Sequence, residues 1–368
     1  MDLEYMADLS EDIPDPSLSP LLSRPTDQEL DNDYNTPTGL SSFPIPTNAP
    51  SYVVATLNDL NRYISEIQEP NQGFSTGWPG MDKALNKLQA GFHVICGDSN
   101  IGKTAIISQL AGQVYINNPD AYVLDISLDD PYKEKVSRVI ASTFRLPINA
   151  VKNPSIIMKS HPQVFKRIIQ GIDYMFNSAW RYRAVDSQAW GSYVEEIGQA
   201  IKELVISLKV QDKPLKLVVF IDNFHDLNTT GAVGNDKNKY DYIAQYISDL
   251  ANELSIPIVC TGEFRKLNNF KRPSLDDIRE SVKIKYEAKS IMLCHNEVGI
   301  KQEAAAVYYE RKDRAEKQPV FEIKFGKNKY SSFKGRLFYN FIPEWAHFNE
   351  ADASSSRRYS QAIYNSEG

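Results

Sequence analysis

Eight consecutive residues carry the strongest chemistry in this chain: Gly97, Asp98, Ser99, Asn100, Ile101, Gly102, Lys103 and Thr104 follow the spacing G-x-x-x-x-G-K-[ST]. The two glycines let the backbone curl so that successive N–H groups point inward, and a helix starting at the end of the loop offers its positive terminus to phosphate oxygens. Lys103 is then placed to reach the β- and γ-phosphates of a nucleotide, and the Thr104 hydroxyl to hold Mg²⁺. Both flanks suit this reading. Phe92, His93, Val94, Ile95 and Cys96 read as a buried strand entering the loop, and Ala105, Ile106, Ile107, Leu110, Ala111 and Val114 recur at helical spacing after it.

Three carboxylates stand where they could serve that loop. The apolar run Leu217, Val218, Val219, Phe220 and Ile221 ends in Asp222, the arrangement a Mg²⁺ shell beside a phosphate loop requires. Asp129 follows the strand-like residues 122–127, so in a parallel sheet it would face the phosphates and polarise an attacking water. The structural alternative is that Asp129 or Asp130 caps a helix ahead of Pro131. Glu263 follows the apolar residues 256–261 and, taken alone, is a loop glutamate.

The elements that must hold these groups alternate as in a parallel α/β sheet. Strands are predicted at 92–96, 121–127, 216–222, 256–261, 289–294, 304–310, 320–326 and 335–341. Residues 131–214 are predicted to be mostly helical, and the last two strands to form a hairpin around residues 321–339. Residues 52–67 place Val53, Val54, Leu57, Leu60, Tyr63, Ile64 and Ile67 on one helical face that needs a partner, and Glu69, Pro70, Asn71, Gln72 and Gly73 end it. Four segments follow: an acidic, Pro-rich, disordered tail over 1–50, a helix and linker over 51–72, the α/β domain over 73–350, and a fraying polar tail over 351–368.

Composition narrows the class. At 368 residues and 42% hydrophobic content the chain can bury a real core. No apolar run reaches membrane-spanning length, and an acidic N-terminus is unlike a signal peptide, so a soluble cytoplasmic protein is expected, with no membrane partner. Cys96, Cys260 and Cys294 sit far apart in apolar runs and are expected to be buried thiols. The net charge of −6 hides an asymmetry: the first fifty residues hold ten acidic residues against Arg24 alone, together with eight of the twenty prolines. The remainder is mildly basic, which permits nucleic-acid binding, and the acidic segment could dock on a partner or compete with DNA.

The order of these features resembles the RecA-like motor domain of DnaB-type replicative helicases, over about 51–348. Thr76, Gly77, Met81, Asp82 and Leu85, followed by Leu88, Gln89, Ala90 and Gly91, are similar to that family's entry to the phosphate loop. Ser127, Leu128 and Asp129 stand at its Ser-Leu-Glu. Ile221, Asp222 and Asn223 with Phe224 and His225 stand at its Ile-Asp-Tyr-Leu-Gln, and residues 250–259 match the segment before its polar sensor. Arg272 and Pro273, then Asp277, Ile278, Arg279, Glu280 and Ser281, resemble its R-P…D-L-R-E-S, and Gly326, Lys327, Asn328 and Lys329 occupy the place of its G-K-Q-R. The resemblance implies a RecA-like P-loop fold and a homo-oligomeric ring, a hexamer, that hydrolyses ATP with Mg²⁺ and moves 5′→3′ along single-stranded DNA. The site residues it implies are Lys103, Asp129, Asp222, Glu263, Lys327 and Lys329 for hydrolysis, the last two from a neighbouring subunit, and Thr104 and Asp222 for the metal. Lys266, Arg279, Glu280 and Lys283 are implied for DNA. It also implies partners of the replication class, a primase, a loader or a single-strand-binding protein, with helix 52–67 packing on the next subunit. The family's N-terminal collar is expected to be missing, as in a phage-like form.

Four positions depart from the family. Asp129 replaces a glutamate, drawing the carboxylate back by roughly 1 Å, and Glu263 replaces a glutamine, so that an acceptor-only group would face a γ-phosphate. Lys329 replaces the trans-acting arginine and cannot fork across two oxygens, and Val282 replaces a glycine of the DNA loop. These departures motivate a second reading, a catalytically weak nucleotide-binding ring or helicase-loading scaffold. A third, a RecA-type recombinase, is disfavoured by the residues around Arg279 and Gln89.

Overall fold

The computed structural model describes residues 44–68, 73–210, 215–231, 234–265, 271–279 and 282–367. Most of the acidic segment predicted over 1–50, and the DNA-contact candidates Lys266 and Glu280, lie outside the described residues. The chain divides into two units, residues 1–71 and 72–368. In the first, helix α1 spans Ser51–Gln68, its first turn closed by the Pro50 carbonyl, which accepts from the N–H groups of Val53 and Val54 at 2.9 and 3.0 Å.

The second unit is a sheet flanked by helices. After the short helix α2 (Pro79–Leu85), strand β1 (Gly91–Gly97) runs into the phosphate loop and helix α3 (Lys103–Asn117) leaves it. Then come β2 (Ala121–Ser127), α4 (Tyr132–Phe144), α5 (Pro162–Ser178), β3 (Tyr182–Asp186), α6 (Val194–Lys209) and β4 (Lys216–Asp222). These are followed by α7 (Asp236–Leu254), β5 (Pro257–Glu263), α8 (Val282–Glu287) and β6 (Ser290–Asn296). The chain closes with β7 (Tyr308–Tyr309), β8 (Gln318–Asn328), β9 (Arg336–Ile342), β10 (His347–Glu350) and α9 (Ala353–Glu367).

Strand order is β10-β9-β8-β6-β1-β5-β4-β2-β3, with β7 paired to β8 off this path. β1 lies parallel between β5 and β6, β4 joins β5 to β2, and β8, β9 and β10 extend the sheet antiparallel. Every residue of β1 is buried, as expected of a parallel strand covered on both faces. Its side chains alternate between two cores. Phe92, Val94 and Cys96 enter one with α6 and α7, while Ile95 enters the other with α2, α3 and the C-terminal strands. Cys96, Cys260 and Cys294 are buried and free, as expected.

The structure adds one element to the sequence expectations and corrects two of them. The stretch predicted as mostly helical over 131–214 is so, and it also contributes edge strand β3, five residues with only Tyr182 and Val185 buried, too short to show a strand period between helices. The strand expected over 304–310 shrinks to Tyr308–Tyr309. Residues after Ala351 do not fray: α9 buries Tyr359 and Ile363 against Val307, Val320 and Phe338, and the Tyr359 hydroxyl donates to Asn340 Oδ1 at 2.9 Å. Its polar composition hid this seam of two side chains one turn apart.

Candidate phosphate-binding site

Strand register sets the site. Gly97 pairs with Glu263 across β1 and β5, and Ser127 pairs with Asp222 across β2 and β4, so four strands bring their carboxyl ends to one edge of the sheet. Open α/β sheets bind ligands at this edge. A cleft of about 310 Å³ opens there, lined by Ser99, Asn100, Gly102, Lys103, Thr104, Asp129, Arg138, Asp222, Asn223 and Glu263 among others. Loop residues and carboxylates far apart in sequence therefore share one cavity.

The loop has the backbone its sequence demanded. Gly102 (φ 113°) turns the chain into α3, and Asn100 (φ 62°) is also left-handed. A Cβ on Gly97 would sit 2.5 Å from Ile101 Cδ1, so any larger residue there would have to displace the Ile101 side chain. Ile101 is buried, and its carbonyl accepts from Asn296 Nδ2 at 3.3 Å, which ties the loop to the end of β6. Lys103 Nζ donates to the carbonyls of Gly97 and Asp98 at 3.0 and 2.8 Å. Its ammonium is thus held over the loop, where phosphate oxygens would replace those carbonyls.

Asp222 is buried. Its Oδ1 accepts from the Thr261 hydroxyl, and its Oδ2 has no hydrogen-bond partner among the described residues. A buried carboxylate oxygen without a donor is costly unless a cation satisfies it, and Thr104 adds a hydroxyl oxygen to the same cleft. A hard divalent cation that keeps waters and phosphate oxygens as its other ligands suits this sparse oxygen set. Among the described residues no group of three or more His, Cys, Asp or Glu side chains forms a protein-only metal cage.

Asp129 is exposed at the cleft. Neither it nor Asp130 caps α4, because the Tyr132 N–H instead finds Asp186 Oδ2 at 3.0 Å. Asp130 is ion-paired to Arg138, a cleft residue that sequence reading missed. The helix carrying Arg138 is pinned from behind. Lys135 Nζ meets Asp125 Oδ1 at 2.8 Å with both side chains fully buried, and the Tyr182 hydroxyl donates to Asp125 Oδ2 at 2.7 Å. Burial pushes the Asp125 carboxyl up, against the pull of Lys135. Asp226, beside the cleft, is also pushed up, first by burial and then by the charges of Asp129, Glu263 and Asp222.

Glu263 is bound on its far side. Its Oε2 meets an Arg279 guanidinium nitrogen at 2.9 Å, and its carbonyl accepts from the Arg279 N–H at 3.0 Å. His225 bridges the same two residues, Nδ1 accepting from the Glu263 N–H at 3.2 Å and Nε2 contacting the Arg279 carbonyl at 3.3 Å. Those contacts define a neutral imidazole with its proton on Nε2, and burial lowers its pKa to about 4.

The remaining predicted residues lie elsewhere. Lys327 lies at the end of β8, which pairs with the start of β6, and Lys329 just beyond it, its N–H donating to the Lys289 carbonyl at 2.9 Å. This edge is opposite the phosphate loop of their own chain. Lys327 Nζ donates to the carbonyls of Lys285 and Tyr286 at 2.6 and 2.7 Å, closing the end of α8, and burial lowers its pKa to about 8. Lys329 is exposed. The Lys283 N–H donates to Asp241 Oδ1 at 3.2 Å and its Nζ to Gln245 at 3.3 Å, both on α7.

A family model described as the DnaB-like helicase C terminal domain matches residues 73–350. A probable plasmid replicative DNA helicase of Chlamydia psittaci is 31% identical over 277 residues, covering 73% of this chain and 54% of the relative. The corresponding protein of Chlamydia muridarum is 26% identical over 300 residues, covering 80% and 59%. The replicative DNA helicase DnaB of Buchnera aphidicola is 20% identical over 319 residues, covering 86% and 63%. The chain thus spans a little over half the length of the curated relatives it matches. Among solved structures, one described as an ATPase domain superposes with a TM-score of 0.68 at 18% identity, covering 83% of this chain and 100% of that one. A DnaB-like replicative helicase studied with primase superposes with a TM-score of 0.65 at 19% identity, covering 83% and 68%. Both share the RecA-like fold.

Proposed function

Because the chain belongs to the DnaB-like helicase C-terminal domain family, we propose that it is an ATP-dependent replicative DNA helicase, a ring-forming motor that moves on single-stranded DNA and unwinds duplex. The observation that carries this reading is the convergence of Lys103, Thr104, Asp129, Asp222 and Glu263 on one cleft at the carboxyl edge of the sheet.

In this reading the loop N–H groups and Lys103 hold the phosphate tail of ATP, and Thr104 and Asp222 hold Mg²⁺. The metal would neutralise charge on the phosphates during transfer to water. Asp129 orients the attacking water from the end of β2. Glu263 reads the terminal phosphate from β5 and passes the change to Arg279, which leads into the segment assigned to DNA.

Lys329, exposed at the opposite edge from its own cleft, acts on a neighbouring subunit's nucleotide, so full activity requires assembly. Lys327 organises α8 beside it. The proposed partners are single-stranded DNA, further copies of the chain, and a primase, loader or single-strand-binding protein. DNA contact through backbone phosphates at Arg279, Glu280, Lys266 and Lys283 would be salt-sensitive and sequence-tolerant. No helix among the described residues is long and apolar enough to cross a membrane, and the proposed place of work is the cytoplasm of a bacterial or phage-infected cell.

The test is ATP hydrolysis by the purified protein with and without single-stranded DNA, beside Lys103→Ala. DNA-stimulated turnover that disappears in the variant supports the motor. Nucleotide binding without turnover would replace it with the scaffold or loader reading.

A further inference from the structure

The phosphate cleft holds more negative than positive charge before any nucleotide enters. Among the described residues Asp129, Asp222 and Glu263 line it, against two cationic side chains, Lys103 and Arg138. Lys103 belongs to the phosphate loop. Arg138 lies on α4, two turns beyond Asp130, in a stretch without a motif. Its guanidinium pairs with the Asp130 carboxylate at the cleft, each side chain about one-fifth exposed. It is therefore partly desolvated, where a charge-assisted bond to phosphate is stronger than at an open surface.

The placement of Arg138 is fixed at both ends. Three residues before it, Lys135 is locked into the fully buried pair with Asp125, which Tyr182 completes, so α4 cannot rotate about its axis without separating buried charges. The Arg138 head is held by Asp130, which is fixed in turn by the bond from its N–H to the Ser127 hydroxyl at 3.2 Å, at the end of β2. A guanidinium has five N–H donors in a planar fork. One carboxylate can occupy one edge of the fork and leave the other for an anion.

We propose that Arg138 is a terminal-phosphate ligand supplied by the same subunit that carries the phosphate loop, and that Asp130 is its positioning residue. The observation carrying this is the Asp130–Arg138 pair at the wall of the cleft lined by Lys103, Asp129 and Glu263. Asp130 orients the fork and Arg138 meets the γ-phosphate, adding the bidentate contact that a lysine arriving from a neighbour cannot make. The inference rests on the ATP-hydrolysing reading above and names a residue of that same site.

The test compares equilibrium binding of ADP and of a non-hydrolysable ATP analogue, together with steady-state hydrolysis, in full-length wild type, Arg138→Ala, Arg138→Lys, Asp130→Ala, Asp130→Glu and the double alanine variant. Arg138→Ala is expected to weaken the triphosphate analogue about tenfold or more while ADP changes by less than about twofold, and to lower kcat by about ten- to a hundredfold, the range for losing one charge-assisted donor. Arg138→Lys recovers part of the loss. Asp130→Ala lowers kcat more than it raises KM, Asp130→Glu restores it, and adding Asp130→Ala to Arg138→Ala costs nothing further. Equal weakening of ADP and the analogue would mark Arg138 as merely structural and overturn the proposal, as would independent, additive losses in the double variant. A wild type that binds neither nucleotide would overturn the enzymatic reading and this inference with it. A wild type that binds both, beside an Arg138→Ala variant with the same preference, would overturn the assignment of Arg138 alone.

Discussion

Glu263 Oε2 lies 2.9 Å from the Arg279 guanidinium, joining a side chain of the phosphate cleft to the residue that leads into the segment assigned to DNA. The pair is partly exposed, at 26% for Glu263 and 43% for Arg279. Such a bond holds by no more than about 1 kcal/mol, weak enough for an incoming phosphate to displace. Glu263→Gln removes the charge and keeps the shape. Its expected effect is single-stranded DNA binding about two- to fivefold tighter without nucleotide, and a DNA affinity that responds less to an ATP analogue. Fluorescence anisotropy with a labelled oligonucleotide measures both, and an unchanged nucleotide response would sink the coupling.

His225 ties stability to pH through the same two residues. Its folded pKa, about 4, lies below the ordinary histidine value of 6.5 because the ring is buried, so between those values the unfolded chain binds more protons than the native one. The stability contributed is fully present above about pH 6.5 and is lost as pH falls towards 4, with a limiting slope of about 1.4 kcal/mol per pH unit. His93 and His295, lowered to about 4 by their own burial, act in the same sense. Urea unfolding at several values between about pH 7.5 and 4.5 should show wild type losing stability faster than His225→Gln. Parallel curves would mean the ring is not held neutral.

Asp222 separates stability from turnover. Its buried Oδ2 has no partner among the described residues, and Asn in its place retains an acceptor for Thr261 while discharging the site. Asp222→Asn should leave the melting temperature unchanged or raised by about 2–4 °C, while hydrolysis falls by about a hundredfold or more. Scanning calorimetry beside phosphate release checks the pair of outcomes, and retained turnover would remove Asp222 from the metal shell.

Lys103→Ala should strongly weaken nucleotide binding, because the two carbonyls that its ammonium now satisfies are left facing the phosphates. A loss of about a hundredfold in triphosphate affinity is expected from removing a charge-assisted contact. Isothermal titration with Mg²⁺ and an ATP analogue measures it. Binding at the wild-type level would move the nucleotide away from this loop.

The C-terminal helix is a structural element rather than a tail. Tyr359 is almost wholly buried and packs its ring on Phe338 at a centroid distance of 5.6 Å. Tyr359→Ala should cost about 3 kcal/mol, the usual range for emptying an aromatic site, and leave the Asn340 oxygen without its donor. Thermal denaturation reads the change directly, and a variant as stable as wild type would show that the helix end is not docked.

Local order was legible in the sequence because it is written in short windows. The phosphate loop needs two glycines, a lysine and a threonine within eight positions, and the buried strands before Gly97 and Asp222 need only short, mostly apolar runs. Those features are enough for the RecA-like sheet, with a glycine-rich loop at the end of β1, to be expected from the sequence alone. Edge strand β3 and helix α9 were not legible, since each buries too few side chains for its period to exceed that of its surroundings.

Tertiary structure alone decided which distant groups meet. Arg138 enters the cleft because Asp125 and Lys135 fix the rotation of α4 behind it. Glu263 reaches Arg279 because β5 ends level with β1, and Lys327 is spent on the carbonyls of α8 while Lys329 remains exposed. Such meetings depend on strand order and register, set by the burial of whole faces and not by the residues that meet. The sequence therefore determined the chemistry of the phosphate loop, and the sheet determined the company it keeps.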